Sequence, residues 1–202
     1  MRQGAGSRVR VYMASSLDGY IAGVDDDLSW LEPPESTDVK ADGNSDRGDV
    51  ESASGVSFEA FMSEVGLMLM GRRTYDVVCG FGQWPYGDMP VWVVTHRALE
   101  DPPAPTVTAI GGDISEVIAR AREAAGEGDV YLDGGHLIRQ ALAMGLVDEM
   151  IVTYIPLVLG AGVSLFDGLE ERIDFEFVSH DTFVNTMLQV RMVPRNKKNQ
   201  AE

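Results

Sequence analysis

Between Asp129 and Leu142 the chain reads DVYLDGGHLIRQAL, and the hydrophobic period changes in the middle of it. Val130, Tyr131 and Leu132 form a short apolar, β-prone run, whereas Leu137, Ile138, Ala141 and Leu142 recur at the spacing of one helical face. A strand that becomes a helix at a glycine pair, Gly134 and Gly135, leaves few architectures open. Glycines take backbone angles closed to other residues and let a ligand approach the main chain, and the N–H groups heading the helix suit an anion such as pyrophosphate. A plain tight turn uses the same dipeptide, so the surrounding sequence has to decide.

Two other apolar runs end in comparable junctions. Leu67 to Met70, a strand covered on both sides, stops at GRRTYD, where Arg72, Arg73 and Thr74 open a helix. Cations at that end oppose the helix dipole unless an anion joins them or nearby carboxylates pair with them. Val91 to Val94 runs into Thr95, His96 and Arg97. The first strand alternates through Val9, Val11 and Met13 and enters SSLDGYIAGVDDDLSWL, which reads as a loop over a site with Trp30 and Leu31 as its apolar anchor. Phe58, Phe61, Met62 and Val65 mark an amphipathic helix that Ser57 can cap, and Asp113 can cap another over 114–125. A strand over 147–154 follows the glycine-pair unit, and residues 175–179 and 183–193 alternate as antiparallel arms around His180 to Thr182.

Strands alternating with helices, then strands alone, predict a single three-layer α/β domain. Its sheet is mostly parallel, with an antiparallel C-terminal edge. In such sheets the ligand crevice lies at the carboxyl ends of the strands, where the three junctions collect. A ligand spanning them carries several separated anionic groups, as a dinucleotide does, and an extra 2'-phosphate matches the arginines.

Length and charge narrow the class. The 202 residues suffice for one domain, placed at 8–194, with an acidic, poorly ordered insertion at 33–55 and a polar tail at 195–202. A net charge of -16 argues against nucleic acid, whose phosphates would be repelled, and makes each cationic cluster conspicuous. Half of the excess comes from Asp25 to Glu51, where ten carboxylates face only Lys40 and Arg47. One cysteine, Cys79, and three dispersed histidines imply no metal, and the absence of a long apolar run implies no membrane span and a cytoplasmic protein.

The ordered motifs SSLDGYIAG, LMLMGRRTYD, VWVVTHRAL, VYLDGGHLIRQAL and VDEMIVTYIPLVLGAGVSLF resemble the dihydrofolate reductase-like superfamily. Within it they resemble the group of the C-terminal reductase domain of the riboflavin-biosynthesis deaminase-reductase. The resemblance implies an NADPH-dependent reductase of a pterin-like or pyrimidine-like heterocycle, with a homodimer suggested by the relatives. Carried over by position, Gly71, Arg72, Arg73 and Thr74 hold phosphates, Thr95, His96 and Arg97 flank the 2'-phosphate, and Gly134, Gly135, His136, Leu137 and Ile138 wrap the pyrophosphate. Ser15 and Trp30 border the nicotinamide. Asp133 is the catalytic candidate, as proton donor or substrate anchor, in a place where the riboflavin reductases have a glutamate. Asp18, in the SLDG turn, and Ser57, Phe58 and Phe61 on the following helix are the substrate-side candidates.

Two expectations follow from that likeness. Dihydrofolate reductases carry a carboxylate on this helix, where spacing places Ser57 and Phe58, so dihydrofolate should be a poor substrate and an Asp at Ser57 should improve it. A non-catalytic NADP-binding protein with a drifted pocket is the alternative. The resemblance also implies a cis peptide between Gly134 and Gly135, and a methyl group on Gly135 is expected to obstruct the ligand while sparing the fold.

Overall fold

The computed structural model describes residues 6–31, 55–182 and 187–195. Gly55 and Arg195 apart, the acidic insertion and the tail lie outside these residues. Six parallel strands form the body of an eight-stranded sheet: β1 (Val9–Ser16), β3 (Val65–Gly71), β4 (Val91–Val94), β5 (Val107–Ile110), β6 (Asp129–Asp133) and β7 (Glu149–Ile155). β9 (Phe175–Thr182) and β10 (Leu188–Pro194) close it antiparallel, giving the order β5-β4-β3-β6-β1-β7-β10-β9. A separate ribbon pairs β2 (Tyr20–Ala22) with β8 (Val163–Ser164). The expected mostly parallel α/β sheet with an antiparallel C-terminal edge is therefore the observed fold.

The period-2 alternation of the strands divides the core. Val9, Val11, Leu67, Leu69, Val130 and Leu132 face α3 (Ile114–Ala124) and α4 (Gly135–Ala143) in one cluster. Met68, Met70, Val91, Val93 and Tyr131 face the other side, with Phe61 of α1 (Phe58–Met62) and Tyr75 and Val78 of α2 (Arg72–Cys79). Every strand between two helical layers must be apolar on both faces, which is why β3 reads as an unbroken hydrophobic run. Ser57 and Asp113 cap their helices as expected, accepting from the N–H groups of Ala60 and Ser115.

Charged residues hold the amino ends of the central strands. Arg10 on β1 is buried and donates to Glu149 on β7 at 2.6 Å, to Asp129 on β6 at 3.2 Å and to Glu64 at 2.6 Å. Arg8 reaches Asp129 at 2.6 Å, and Arg191 reaches Glu149. Each charge so far from water needs its partner, and the network fixes three neighbouring strands at the end opposite the functional junctions.

One boundary differs from expectation. His180, Asp181 and Thr182 are not a turn but the end of β9, paired with Val190, Gln189 and Leu188. β9 is the outer strand and exposed along most of its length. With polar residues tolerated on both faces, its end leaves no hydrophobic signature. Among the described residues no helix is long and apolar enough to cross a membrane.

Candidate functional site

At the carboxyl ends of β1, β3, β4 and β6 the chain leaves a cleft of about 610 Å³, within the size range of small-molecule sites. Its floor comes from Met13 and Ala14 of β1, Val94 of β4 and Asp133 of β6. Two helix starts flank it, Gly71 to Thr74 on α2 and Gly134 to Leu137 on α4, and the loop after β2 covers it with Asp26, Leu28 and Leu31. β3 and β6 are adjacent and parallel, with Met70 opposite Asp133. Helices that continue two such neighbouring strands must begin side by side, so two sets of unpaired N–H groups face one space.

The glycine pair is held by geometry as much as it is open to a ligand. Gly134 takes φ 104 and ψ 123, and a Cβ there would lie 2.7 Å from the Thr74 hydroxyl. That positive φ turns the chain from β6 into α4, and no described peptide bond is cis. The cis bond expected between Gly134 and Gly135 is thus replaced by a trans one. A Cβ on Gly135 would meet Ile21 at 2.8 Å and the Arg139 guanidinium at 3.1 Å. A methyl group at Gly135 therefore displaces the ends of two flexible side chains, Ile21 and Arg139, while the nearest backbone atom, the Ser164 carbonyl oxygen, lies 3.5 Å away.

Asp133 is 8% exposed and shares the β6 face of Tyr131. Burial pushes its carboxyl up to about 6, against a hydrogen bond from the Gly134 N–H that favours the charged form. Tyr131, also lining the cleft, donates from its hydroxyl to the Tyr12 carbonyl at 3.0 Å. Tyr12 donates to the Val56 carbonyl at 2.9 Å, its ring 5.6 Å from Phe58 and 5.0 Å from Phe61. The result is a buried acid beside an aromatic wall.

The cations at the α2 start are already engaged. Arg72 donates to Asp76 at 2.8 Å and to the Ala98 carbonyl at 3.3 Å, and Arg73 pairs with Asp26 at 2.7 Å. Asp26 comes from the loop after β2, where it and Asp25 hold left-handed backbone angles, φ 62 and 57. Arg72 also lines a second hollow of about 510 Å³ with Arg97. Thr95 accepts from the Arg97 N–H at 3.1 Å, and neither Thr95 nor His96 lines either space.

The remaining positions singled out in the sequence divide plainly. Gly71, Arg72, Arg73, Thr74, Asp133, Gly134, Gly135, His136 and Leu137 are brought together around the cleft. Ile138 is fully buried in the core behind it. Ser15 is also fully buried and donates to the Ser16 carbonyl, while the Trp30 indole donates to the Asp27 carbonyl; Leu28 and Leu31 line the cleft in its place. Asp18 ties two loops, accepting from the Ser16 hydroxyl and from the N–H groups of Leu159 and Gly160. Those bonds, led by the Ser16 hydroxyl, hold its carboxyl below the usual value. Ser57 is exposed, so a carboxylate there would extend a helix cap rather than enter the cleft. Phe61 is buried behind the tyrosines, and Phe58 is half exposed beside them. Sequence reasoning missed Tyr12, Tyr131, Ile21, Phe81 and Arg139 as lining residues. Arg139 sits one turn into α4, and its i+4 spacing from Gly135 could have flagged it.

Comparison with known proteins bears on this arrangement. The RibD C-terminal domain family matches residues 7–189. A protein of Shewanella sp. PV-4 assigned to riboflavin biosynthesis is similar at 32% identity with a TM-score of 0.76, covering 94% of this chain and 99% of that one. The Thermotoga maritima diaminohydroxyphosphoribosylaminopyrimidine deaminase/5-amino-6-(5-phosphoribosylamino)uracil reductase aligns at 15% identity and a TM-score of 0.62, over 94% of this chain and 57% of that one. Dihydrofolate reductase from Enterococcus faecalis, complexed with NADP(H), aligns at 15% identity and a TM-score of 0.60, over 94% and 97%. The last two are likenesses of fold.

Proposed function

This chain belongs to the RibD C-terminal domain family, and from that premise we propose that it is an NADPH-dependent reductase of a flat, nitrogen-containing heterocycle of the pterin or pyrimidine kind. The observation that carries the reading is the position of Asp133, a buried carboxyl directly before the glycine pair, at the foot of a cleft that two helix starts share. The residues present fit the cofactor. The N–H groups opening α2 and α4, the Thr74 hydroxyl and the space kept by Gly134 would hold phosphates, with Arg72 and Arg97 extending the cationic side toward the second hollow. When bound, NADPH supplies the hydride.

The chain's own part is to position, to exclude water and to manage one proton. Tyr12, Tyr131, Phe81, Leu28 and Leu31 supply apolar walls against which a planar ring can lie. Asp133, titrating near 6, carries its proton in about a tenth of molecules at neutral pH. It serves as the donor when protonated, and as an acceptor for substrate N–H groups when ionised.

The test has two parts. NADPH should raise the melting temperature more than NADH does, because the α2 arginines favour the extra phosphate. At a hundredfold excess over its dissociation constant a ligand adds about 2.7 kcal/mol. NADPH oxidation is then followed with pterins, pyrimidines and quinones as acceptors. Turnover of one class supports the reductase; equal shifts with NADPH and NADH, or none, count against it. Tight NADPH binding with no acceptor consumed favours a non-catalytic NADP-binding protein, a reading to which the outward-facing Ser57 lends weight because α1 then offers the cleft no acid.

A further inference from the structure

Three arginines line the cleft, and they are not equivalent. Arg72 lies against Asp76, and Arg73 against Asp26. Each of these guanidinium groups already has a carboxylate, so an incoming anion must displace it or share the cation. Arg139 has none. Its guanidinium curls back over the start of its own helix, 3.1 Å from where a Cβ on Gly135 would sit, and donates to the Ser164 carbonyl of the β2–β8 ribbon. No carboxylate among the described residues pairs with it. A neutral carbonyl takes one of its five donors and neutralises none of its charge.

That placement is costly. The amino end of a helix carries partial positive charge, and a cation brought back to it is repelled. In a chain of net charge -16, a guanidinium with free choice would settle on a carboxylate. The hydrogen bond to the Ser164 carbonyl and the packing against Ile21 and Gly135 keep it at the cleft instead. We propose that Arg139 is the principal anion anchor of the cleft, reading the phosphate group that sits at Gly134 and Gly135. The α2 arginines contribute less because Asp26 and Asp76 already compensate them. This rests on the dinucleotide-binding reading of the site, and it names a residue which that reading does not need.

The experiment is calorimetric titration of the intact protein with NADPH and, separately, with inorganic pyrophosphate. The chains compared are wild type, Arg139→Gln, Arg139→Lys and Arg73→Gln. Arg139→Gln should weaken both ligands about tenfold, the loss expected for one charge-assisted hydrogen bond. Arg73→Gln should weaken them less, and Arg139→Lys should recover part of the loss by restoring the charge without the planar fork. The melting temperature without ligand controls for folding. If Arg139→Gln folds poorly, the Lys variant carries the test, because a merely structural role would leave its ligand affinity at the wild-type value. Wild-type affinity in Arg139→Gln, or a larger loss in Arg73→Gln, overturns the proposal while leaving the reductase reading intact. Pyrophosphate binding that depends on Arg139 in a protein that ignores NADPH does the reverse. A wild-type protein that binds neither ligand overturns both.

Discussion

The Asp26 carboxylate grips Arg73 from the opposite side of the cleft, with its two oxygens 2.7 and 2.9 Å from the arginine Nε. It does so from two consecutive left-handed residues, a conformation that costs an L-amino acid about 1–2 kcal/mol per residue. The pair thus holds a strained loop against α2 and occupies a cation that an anionic ligand would seek.

Asp26→Asn should therefore tighten NADPH binding. Asparagine tolerates the left-handed backbone, so the loop keeps its shape while Arg73 is freed. The Arg73 side chain is 66% exposed, and exposed pairs contribute about 0–1 kcal/mol, which limits the gain to about fivefold and the stability change to a few degrees. Calorimetry decides the sign. Weaker binding in Asp26→Asn would mean that the pair closes the loop over bound ligand instead of competing with it.

Asp133 makes stability depend on pH in the direction opposite to an ordinary salt-bridged acid. Its carboxyl is raised from 3.8 to about 6 in the folded protein, so between those values the folded state binds more protons than the unfolded chain. Stability contributed by this group is highest below about 4, falls as pH rises to about 6, and is lost above that. The rise corresponds to about 3 kcal/mol as an order of magnitude. Asp133→Asn should accordingly be more stable than wild type at pH 7.5, and the advantage should shrink at pH 4.5 in urea titrations. If Asp133 donates the proton, turnover should also fall as pH rises through about 6; a rate that climbs through the same range assigns it to substrate N–H acceptance.

Arg10→Ala should be the most damaging single change among those considered. The Arg10 and Glu149 side chains are 4% and 3% exposed and 2.6 Å apart. Removing the cation takes from Glu149 and Asp129 their buried partner and leaves them the more exposed Arg191 and Arg8; breaking a buried pair costs about 3–5 kcal/mol, which those two arginines offset in part. Urea unfolding measures the loss. The network lies at the strand ends remote from the cleft, so the fraction that remains folded should bind NADPH with wild-type affinity.

Gly134→Ala should destabilise the protein well beyond Gly168→Ala. Both glycines have positive φ, 104 and 76, but a Cβ at Gly168 meets nothing within 4 Å, whereas one at Gly134 falls 2.7 Å from the Thr74 hydroxyl. Gly168→Ala carries only the backbone penalty, about 1–2 kcal/mol. Gly134→Ala adds a clash that the Thr74 hydroxyl must move to relieve, and its melting temperature should drop further. Equal losses in thermal melts would show that the two helix starts can yield.

Much of this architecture was legible along the chain. The alternation in β1, the unbroken apolar runs of β3 and β4 and the period change at Gly134 each depend on neighbours within a few residues, and such neighbours set local conformation directly. The same locality marked the helix caps at Ser57 and Asp113. Because the strands are parallel, their carboxyl ends must lie together, so the junctions at Gly71 and Gly134 belong to one end of the sheet on the sequence pattern alone.

What the tertiary structure alone decided was which charges meet. Asp26 and Arg73 stand 47 residues apart, and Arg139 and Ser164 stand 25 apart. No periodicity links such pairs. Their meeting depends on the sheet order that sets β6 between β3 and β1 and on the ribbon that carries Ser164 to the start of α4. For the same reason Trp30 and Ser15, plausible cleft residues by position, turn to the Asp27 carbonyl and the core. The sequence thus determined the strands, the helices and the end of the sheet where a ligand could sit, because these follow from short-range sterics and hydrophobic period. The fold decided that Arg139 meets no carboxylate among the described residues while Arg73 is paired, because electrostatic pairing follows distance in space and not position along the chain.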